Sequence, residues 1–127
     1  MDTSALVKLV VAEAGSAALR DWCSATGREL VASDLVRTEL FRAVRRVAPD
    51  RVVRAREVLD AMILIEIASA TFEAAGRLEP AVLRTSDAIH LAAALDLADD
   101  LKGIVTYDDR LADAAAAANG VRVIAPS

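Results

Sequence analysis

Thr85-Ser86-Asp87-Ala88-Ile89-His90-Leu91-Ala92-Ala93-Ala94 is the stretch on which the reading of this chain turns. Ser86 is placed to cap a helix that runs to about Ala98, and Asp87 falls in its first turn, where the helix dipole favours an acid. The residues beyond Asp87 are almost wholly alanine, leucine and isoleucine, so the helix is expected to be covered on most of its sides. Three other acids occupy the same local setting, where an apolar run gives way to a helix or one turn into it. They are Asp2 in Met1-Asp2-Thr3-Ser4, Glu39 in Arg37-Thr38-Glu39-Leu40, and Asp108 in Val105-Thr106-Tyr107-Asp108. In an open α/β sheet the carboxyl ends of the strands are where ligands bind. Carboxylates gathered there repel one another and raise each other's pKa. A divalent cation removes that repulsion, and hard oxygen ligands suit Mg²⁺ or Mn²⁺.

Outward from these positions, helical and strand patterns alternate. That predicts an α/β fold with a mostly parallel sheet and helices on both faces, three layers in all. Helices are expected over residues 4–11, 16–26, 34–47, 50–61, 69–78, 86–98 and 108–118. Capping is assigned to Asp2 or Thr3, Ser16, Ser33 or Asp34, Asp50, Ser86, and Asp108 or Asp109. Short strands are expected over 30–32, 63–67, 103–106 and 121–124. Only Met1 precedes Asp2, so the strand that should lead into this first acid is expected to be truncated. With 127 residues, one domain spanning 1–127 is expected, long enough to bury a core without disulfides or other staples.

Hydrophobic residues make up 55% of the chain and mean hydropathy is +0.37. No run reaches the roughly 18 apolar residues of a membrane span. No basic segment followed by an apolar one opens the chain, so no signal peptide is expected. The single Cys23 cannot form an internal disulfide, and a cytoplasmic location is the natural reading. The net charge of −4 argues against a nucleic-acid partner until its distribution is considered. Seven arginines (37, 42, 45, 46, 51, 54 and 56) face only Glu39 and Asp50 between positions 37 and 56, a local balance of +5. A basic stripe beside an acidic centre draws in phosphates against carboxylate repulsion. A solvated helix face, or a docking surface for an acidic partner, fits the same stripe. The stripe also carries Leu35, Val36, Leu40, Phe41, Val44, Val52, Val53, Val58 and Leu59. That is more than one small core is expected to bury, and it points to a homodimer contact or a groove for a partner protein.

Asp2-x-Ser4 opening a helix, Glu39 after a short strand, the Asp87–Ala94 stretch, and Thr106-Tyr107-Asp108-Asp109-Arg110-Leu111 succeed one another in this order. The set resembles the PIN-domain ribonucleases, and within them the VapC toxins of toxin–antitoxin pairs, over the whole chain except the first strand. The resemblance implies a PIN-like sheet of about five strands, a Mg²⁺- or Mn²⁺-dependent endoribonuclease acting on RNA, and inhibition by a VapB-like antitoxin. Carried over, Asp2, Glu39, Asp87 and Asp108 match the family's acidic metal site, and Ser4 and Thr106 its small hydroxyl positions. Mg²⁺ keeps several waters and takes one or two carboxylates directly. Asp2 and one of Asp87 or Asp108 are therefore the expected direct ligands, with Glu39 acting through a water and as general base. Ser4 and Thr106 would orient carboxylates.

Taken singly, each acid has a plainer explanation. Asp2 and Asp87 suit helix caps, Asp108 and Asp109 suit a first turn, and Glu39 suits a surface ion pair with Arg37 or Arg42. Of the two adjacent acids, Asp109 is expected to face solvent. His90, one turn after Asp87, is expected to pack or hydrogen-bond beneath the site. Arg84 and Arg110 flank acidic motifs and suit either a phosphate or a neighbouring carboxylate. Tyr107 is the one aromatic placed to reach a substrate. Two other functions compete with the nuclease. An aspartyl-phosphate phosphotransfer or phosphatase domain needs a lysine to steady the phosphoryl group, and neither Lys8 nor Lys102 follows a strand as required. A catalytically silent antitoxin-binding module would have no need of four acids.

Overall fold

Asp2 begins the fold as a helix cap. Its backbone is extended (φ −93°, ψ 178°) and its carboxylate accepts the Ala5 N–H at 3.2 Å. The structure, a computed structural model, describes residues 1–25 and 27–127. Helix α1 (Thr3–Val10) is followed by α2 (Ser16–Cys23), and then by strand β1 (Val31–Ser33) and helix α3 (Val36–Val47). A 3₁₀ turn over Pro49–Arg51 leads into α4 (Val52–Asp60), β2 (Ile63–Ile65), α5 (Ser69–Gly76) and α6 (Thr85–Leu95). The chain ends through β3 (Ile104–Val105), α7 (Asp109–Asp113), a π-helical stretch over Ala114–Ala118, and β4 (Val123–Ile124). The element order matches the alternation in the sequence. The expected end of the second helix at about Thr26 lies outside the described residues.

The caps differ from expectation in four places. Gly15, not Ser16, precedes α2, and the Ser16 hydroxyl accepts from Glu13 N and donates to Val11 O instead. Leu35, which has no acceptor in its side chain, precedes α3, and Asp34 accepts from Arg37 Nε at 2.8 Å instead of capping. Asp50 sits inside the 3₁₀ turn. Arg84, with no capping side chain, precedes α6, and Ser86 is its second residue. Asp108 does cap α7, accepting the Leu111 N–H at 3.0 Å.

Among the described residues the strands form two parallel pairs, β1–β2 in the register Val31↔Ile63 and β3–β4 in the register Ile104↔Val123. The N-terminal residues stand between the pairs. The α-amino group of Met1 donates to Val31 O (2.7 Å) and Asp2 N donates to Val105 O (3.2 Å). Two residues thus occupy the place of the expected first strand, giving four short strands among the described residues where about five were expected. Pairing of β3 with β4 depends on Gly103, where a Cβ would come within 2.9 Å of Arg122 O.

Two larger apolar clusters flank this centre. Leu6 and Val10 of α1, Val36, Leu40 and Val44 of α3, and Leu59 of α4 form the first. Leu91, Ile104, Leu111 and Val121 anchor the second, joining α6 and α7 to β3. The apolar surplus read from residues 35–59 is largely absorbed here. Val36, Leu40, Val44, Val58 and Leu59 are buried, and of the residues in that group only Val53 is exposed, at 73%. The reason is that α1, α3 and α4 pack on one another and each covers the others' apolar face. No helix among the described residues is long and apolar enough to cross a membrane.

Candidate active site

Four helices bring their acids to one cleft of about 150 Å³, lined by Asp2, Thr3, Ser4, Glu39, Arg84, Ser86, Asp87, His90 and Asp108. Asp2 comes from the cap of α1, Glu39 from the first turn of α3, Asp87 from the first turn of α6 and Asp108 from the cap of α7. All four acids singled out in the sequence are therefore together, and Asp109 is exposed to solvent. A larger cavity of about 520 Å³ lies between α5 and α6, lined mainly by apolar groups such as Phe72, Leu78, Leu83 and Ile89. It holds one carboxylate, Glu79, and lacks the convergence of acids that distinguishes the smaller cleft.

Asp2 is 3% exposed and held on both oxygens. Its Oδ1 accepts from Ser4 Oγ (2.7 Å) and Ala5 N, and its Oδ2 accepts from Thr106 Oγ1 (2.8 Å). The two hydroxyls are 3.3 Å apart, and each also accepts a backbone N–H: Ser4 from Tyr107 (2.9 Å) and Thr106 from Asp108 (3.1 Å). Ser4 and Thr106 thus tie the α1 cap to the end of β3. Thr106→Val keeps the shape but leaves Asp2 Oδ2 and the Asp108 N–H without this partner. A loss of about 2 kcal/mol in urea-unfolding stability is expected, and a change below about 0.5 kcal/mol would show that the hydroxyl carries no such role.

Glu39 is held from two sides. Thr3 Oγ1 donates to its Oε1 at 2.8 Å, and His90 Nε2 donates to the same oxygen at 2.5 Å. The buried His90 meets Ser33 Oγ through Nδ1 at 3.1 Å. Burial pushes the Glu39 carboxyl up, but the hydrogen bonds from His90 and Thr3, with the charges of His90 and Arg84, hold it below its ordinary value. The surface pairing with Arg37 or Arg42 does not form, since Arg37 bonds Asp34 instead. His90 sits where the sequence placed it, beneath the acids. Thr3 and Ser33 were missed, and no local signal marks them, because their partners are 36 and 57 residues away.

Arg84 spans two of the acids. Its Nε donates to Asp87 Oδ2 (2.9 Å) and its Nη2 to Asp108 Oδ2 (2.7 Å). Of the sequence's two options for Arg84, the structure shows the neighbouring carboxylates. Burial pushes the Asp87 carboxyl above its ordinary value, Arg84 pulls the other way, and the Asp108 and Asp2 charges add to the rise. Tyr107 does not line the cleft. Its hydroxyl donates to Pro126 O (2.7 Å) and Lys8 lies over its ring, which corrects the expectation that it reaches a substrate.

The chemistry of this donor set fits a hard divalent cation. Every donor is a carboxylate or hydroxyl oxygen, and the hydrogen bonds of Asp87 and Glu39 use one oxygen each, Oδ2 and Oε1. Among the described residues no three acidic, histidine or cysteine side chains already stand at ligating separation. The Arg84 guanidinium spans two of the carboxylates, and its side chain is 54% exposed.

A parallel α/β fold that collects acids from four helices over the ends of its short strands defines a class of nuclease-like domains. The PIN-domain family model matches residues 1–117, and the chain belongs to that family. It is 42% identical over 115 residues to Ribonuclease VapC47 of Mycobacterium tuberculosis, covering 87% of this chain and 85% of that protein. It is also 42% identical over 127 residues to Ribonuclease VapC46 of the same organism, covering 100% and 96%. In three dimensions it is similar to the crystal structure of M. tuberculosis VapC20, described as a Sarcin-Ricin loop cleaving toxin. The TM-score is 0.74 at 17% identity, covering 95% of this chain and 96% of that one, which establishes the fold. The PIN-like α/β fold expected from the sequence is thereby the fold of the protein.

Proposed function

We propose that this protein is a Mg²⁺- or Mn²⁺-dependent endoribonuclease toxin of the VapC type, acting in the cytoplasm as a homodimer and neutralised by a cognate VapB-like antitoxin. The observation that carries the reading is the convergence of Asp2, Glu39, Asp87 and Asp108 on one cleft. The relatives at 42% identity, both named ribonucleases, support the same reading.

Asp2 and Asp87 or Asp108 would hold the ion directly, and Ser4 and Thr106 fix the orientation of Asp2 for that purpose. When bound, the ion neutralises charge on the phosphoryl oxygens and favours ionisation of the attacking water. Glu39, kept ionised by its hydrogen bonds, is placed to take a proton from that water, with His90 and Thr3 fixing the carboxylate that receives it. Arg84 is exposed enough to exchange its carboxylate partners for a phosphate oxygen, a contact that its planar fork suits. A phosphotransfer function has less support, since neither lysine of the chain lines the cleft.

The test is cleavage of a structured RNA by the purified protein, with Mg²⁺ or Mn²⁺ added and then removed by chelator. Cleavage is expected to appear with the ion and stop with the chelator. Cleavage indifferent to the ion would overturn the metal-dependent reading, and phosphorylation of an aspartate by acetyl phosphate would favour the phosphotransfer one.

A further inference from the structure

The chain carries a net charge of −4, yet exposed arginines follow Glu39 along the helix that presents it to the acidic cleft. On α3, Arg42 and Arg46 lie three and seven residues beyond Glu39. At 100° per residue these positions share the Glu39 side of the helix. With a rise of about 1.5 Å per residue, Arg46 stands about 10 Å further along the axis than Glu39. Both arginines are exposed. Several of their neighbours are engaged: Arg37 with Asp34, Arg54 with Glu57, and Arg56 over the Phe41 ring at 4.8 Å. Among the described residues, Arg42 and Arg46 make no ion pair, so their charge is uncommitted within the fold.

Resting on the ribonuclease reading, we infer that Arg42 and Arg46 form a track for the RNA backbone, leading phosphates along α3 into the cleft at Glu39. The two positions are about one helical turn apart, so an extended strand lying along the helix passes both before it reaches the acids. A row of guanidinium groups binds phosphate without regard to base, which suits positioning of a strand. A protein partner needs buried apolar anchors at the centre of its contact. On α3 the only large exposed apolar side chain is Val47, at 61%. The exposed character of this face is therefore charge, which favours a polyanion.

Binding of a fluorescent single-stranded RNA is measured by anisotropy over a range of salt concentrations. Asp87→Asn serves as parent so that the RNA survives. Each arginine that ceases to neutralise a phosphate of a single strand lowers the salt slope by about 0.7. Adding Arg42→Ala and Arg46→Ala is thus expected to lower it by about 1.4 and to weaken binding on the order of tenfold at low salt. Alanine favours the helix, so an unchanged circular dichroism spectrum confirms that the fold is kept. Arg54→Ala, which removes an ion-paired arginine on α4, is expected to bind like the parent. An unchanged slope and affinity in the double variant would overturn the track. So would normal RNA binding combined with loss of neutralisation by antitoxin, which would make this a protein-docking face. Wild-type cleavage of the same RNA is run in parallel. Intact cleavage with an unaffected double variant removes the track alone, whereas no metal-dependent cleavage of either this RNA or the structured RNA removes the ribonuclease reading itself.

Discussion

Asp87→Asn is expected to lower metal-dependent RNA cleavage by about 10³-fold while leaving the protein folded. The factor is of the size seen when a preorganised electrostatic contact to developing charge is removed. Asparagine keeps the shape and one oxygen acceptor for Arg84 but cannot supply the charge that holds a cation. The stability effect runs the other way. Burial, with the Asp108 and Asp2 charges, raises the Asp87 pKa above its ordinary 3.8. A folded-state pKa above the unfolded one means that stability is greatest with the group protonated. That contribution is fully present below the unfolded value and is lost as pH rises through the folded one. At neutral pH without metal, the variant should therefore be at least as stable as the parent, with the comparison shifting toward the parent in acid. Glu39 has the opposite sign. Its lowered pKa gives stability that is present above the unfolded value and lost as pH falls through the folded one, so Glu39→Gln should cost stability at neutral pH. Urea melts in chelator at several pH values, beside a cleavage assay, read all of this. Cleavage within about tenfold of the parent would remove Asp87 from the catalytic set.

Leu40→Ala should cost about 3 kcal/mol of unfolding free energy, within the range for a leucine deleted from a rigid core. Leu40 is fully buried among Leu6, Val36, Val44, Ala55 and Leu59, on the residue after Glu39. The cavity would open under the helix that presents the candidate base. A total stability of about 5–15 kcal/mol is typical of such a domain, so the loss is large. The urea midpoint should fall with the slope unchanged. Cleavage by the molecules still folded at low temperature should fall far less than in Asp87→Asn, because no charged group is removed. A cost below about 1 kcal/mol would mean that the site collapses around the smaller side chain and that α3 is held elsewhere.

Much of the molecule was legible because the signals are local. The cap at Asp2, the cap at Asp108 and the apolar helix after Asp87 each depend on residues within one turn. Ser86 shows where local signals mislead. Arg84, two residues earlier, begins the helix in extended conformation, and its side chain is drawn to Asp108, 24 residues away. The apolar residues of α3 and α4 misled in a different way. Periodicity showed that a face exists, but only the mutual packing of α1, α3 and α4 showed that it is already covered.

By itself the chain's sequence determined the kind of fold and the kind of group at each helix start, since i to i+4 patterns and capping chemistry act within a few residues. The tertiary structure alone decided how those groups meet. Thr106 reaches Asp2 across 104 residues, His90 reaches Glu39 across 51, and Arg84 bridges two acids that no spacing rule connects. Such meetings arise from how helices pack around the short strands. A shift of one helix by about 1.5 Å per residue would leave every local signal intact and take the carboxylates out of reach of one another.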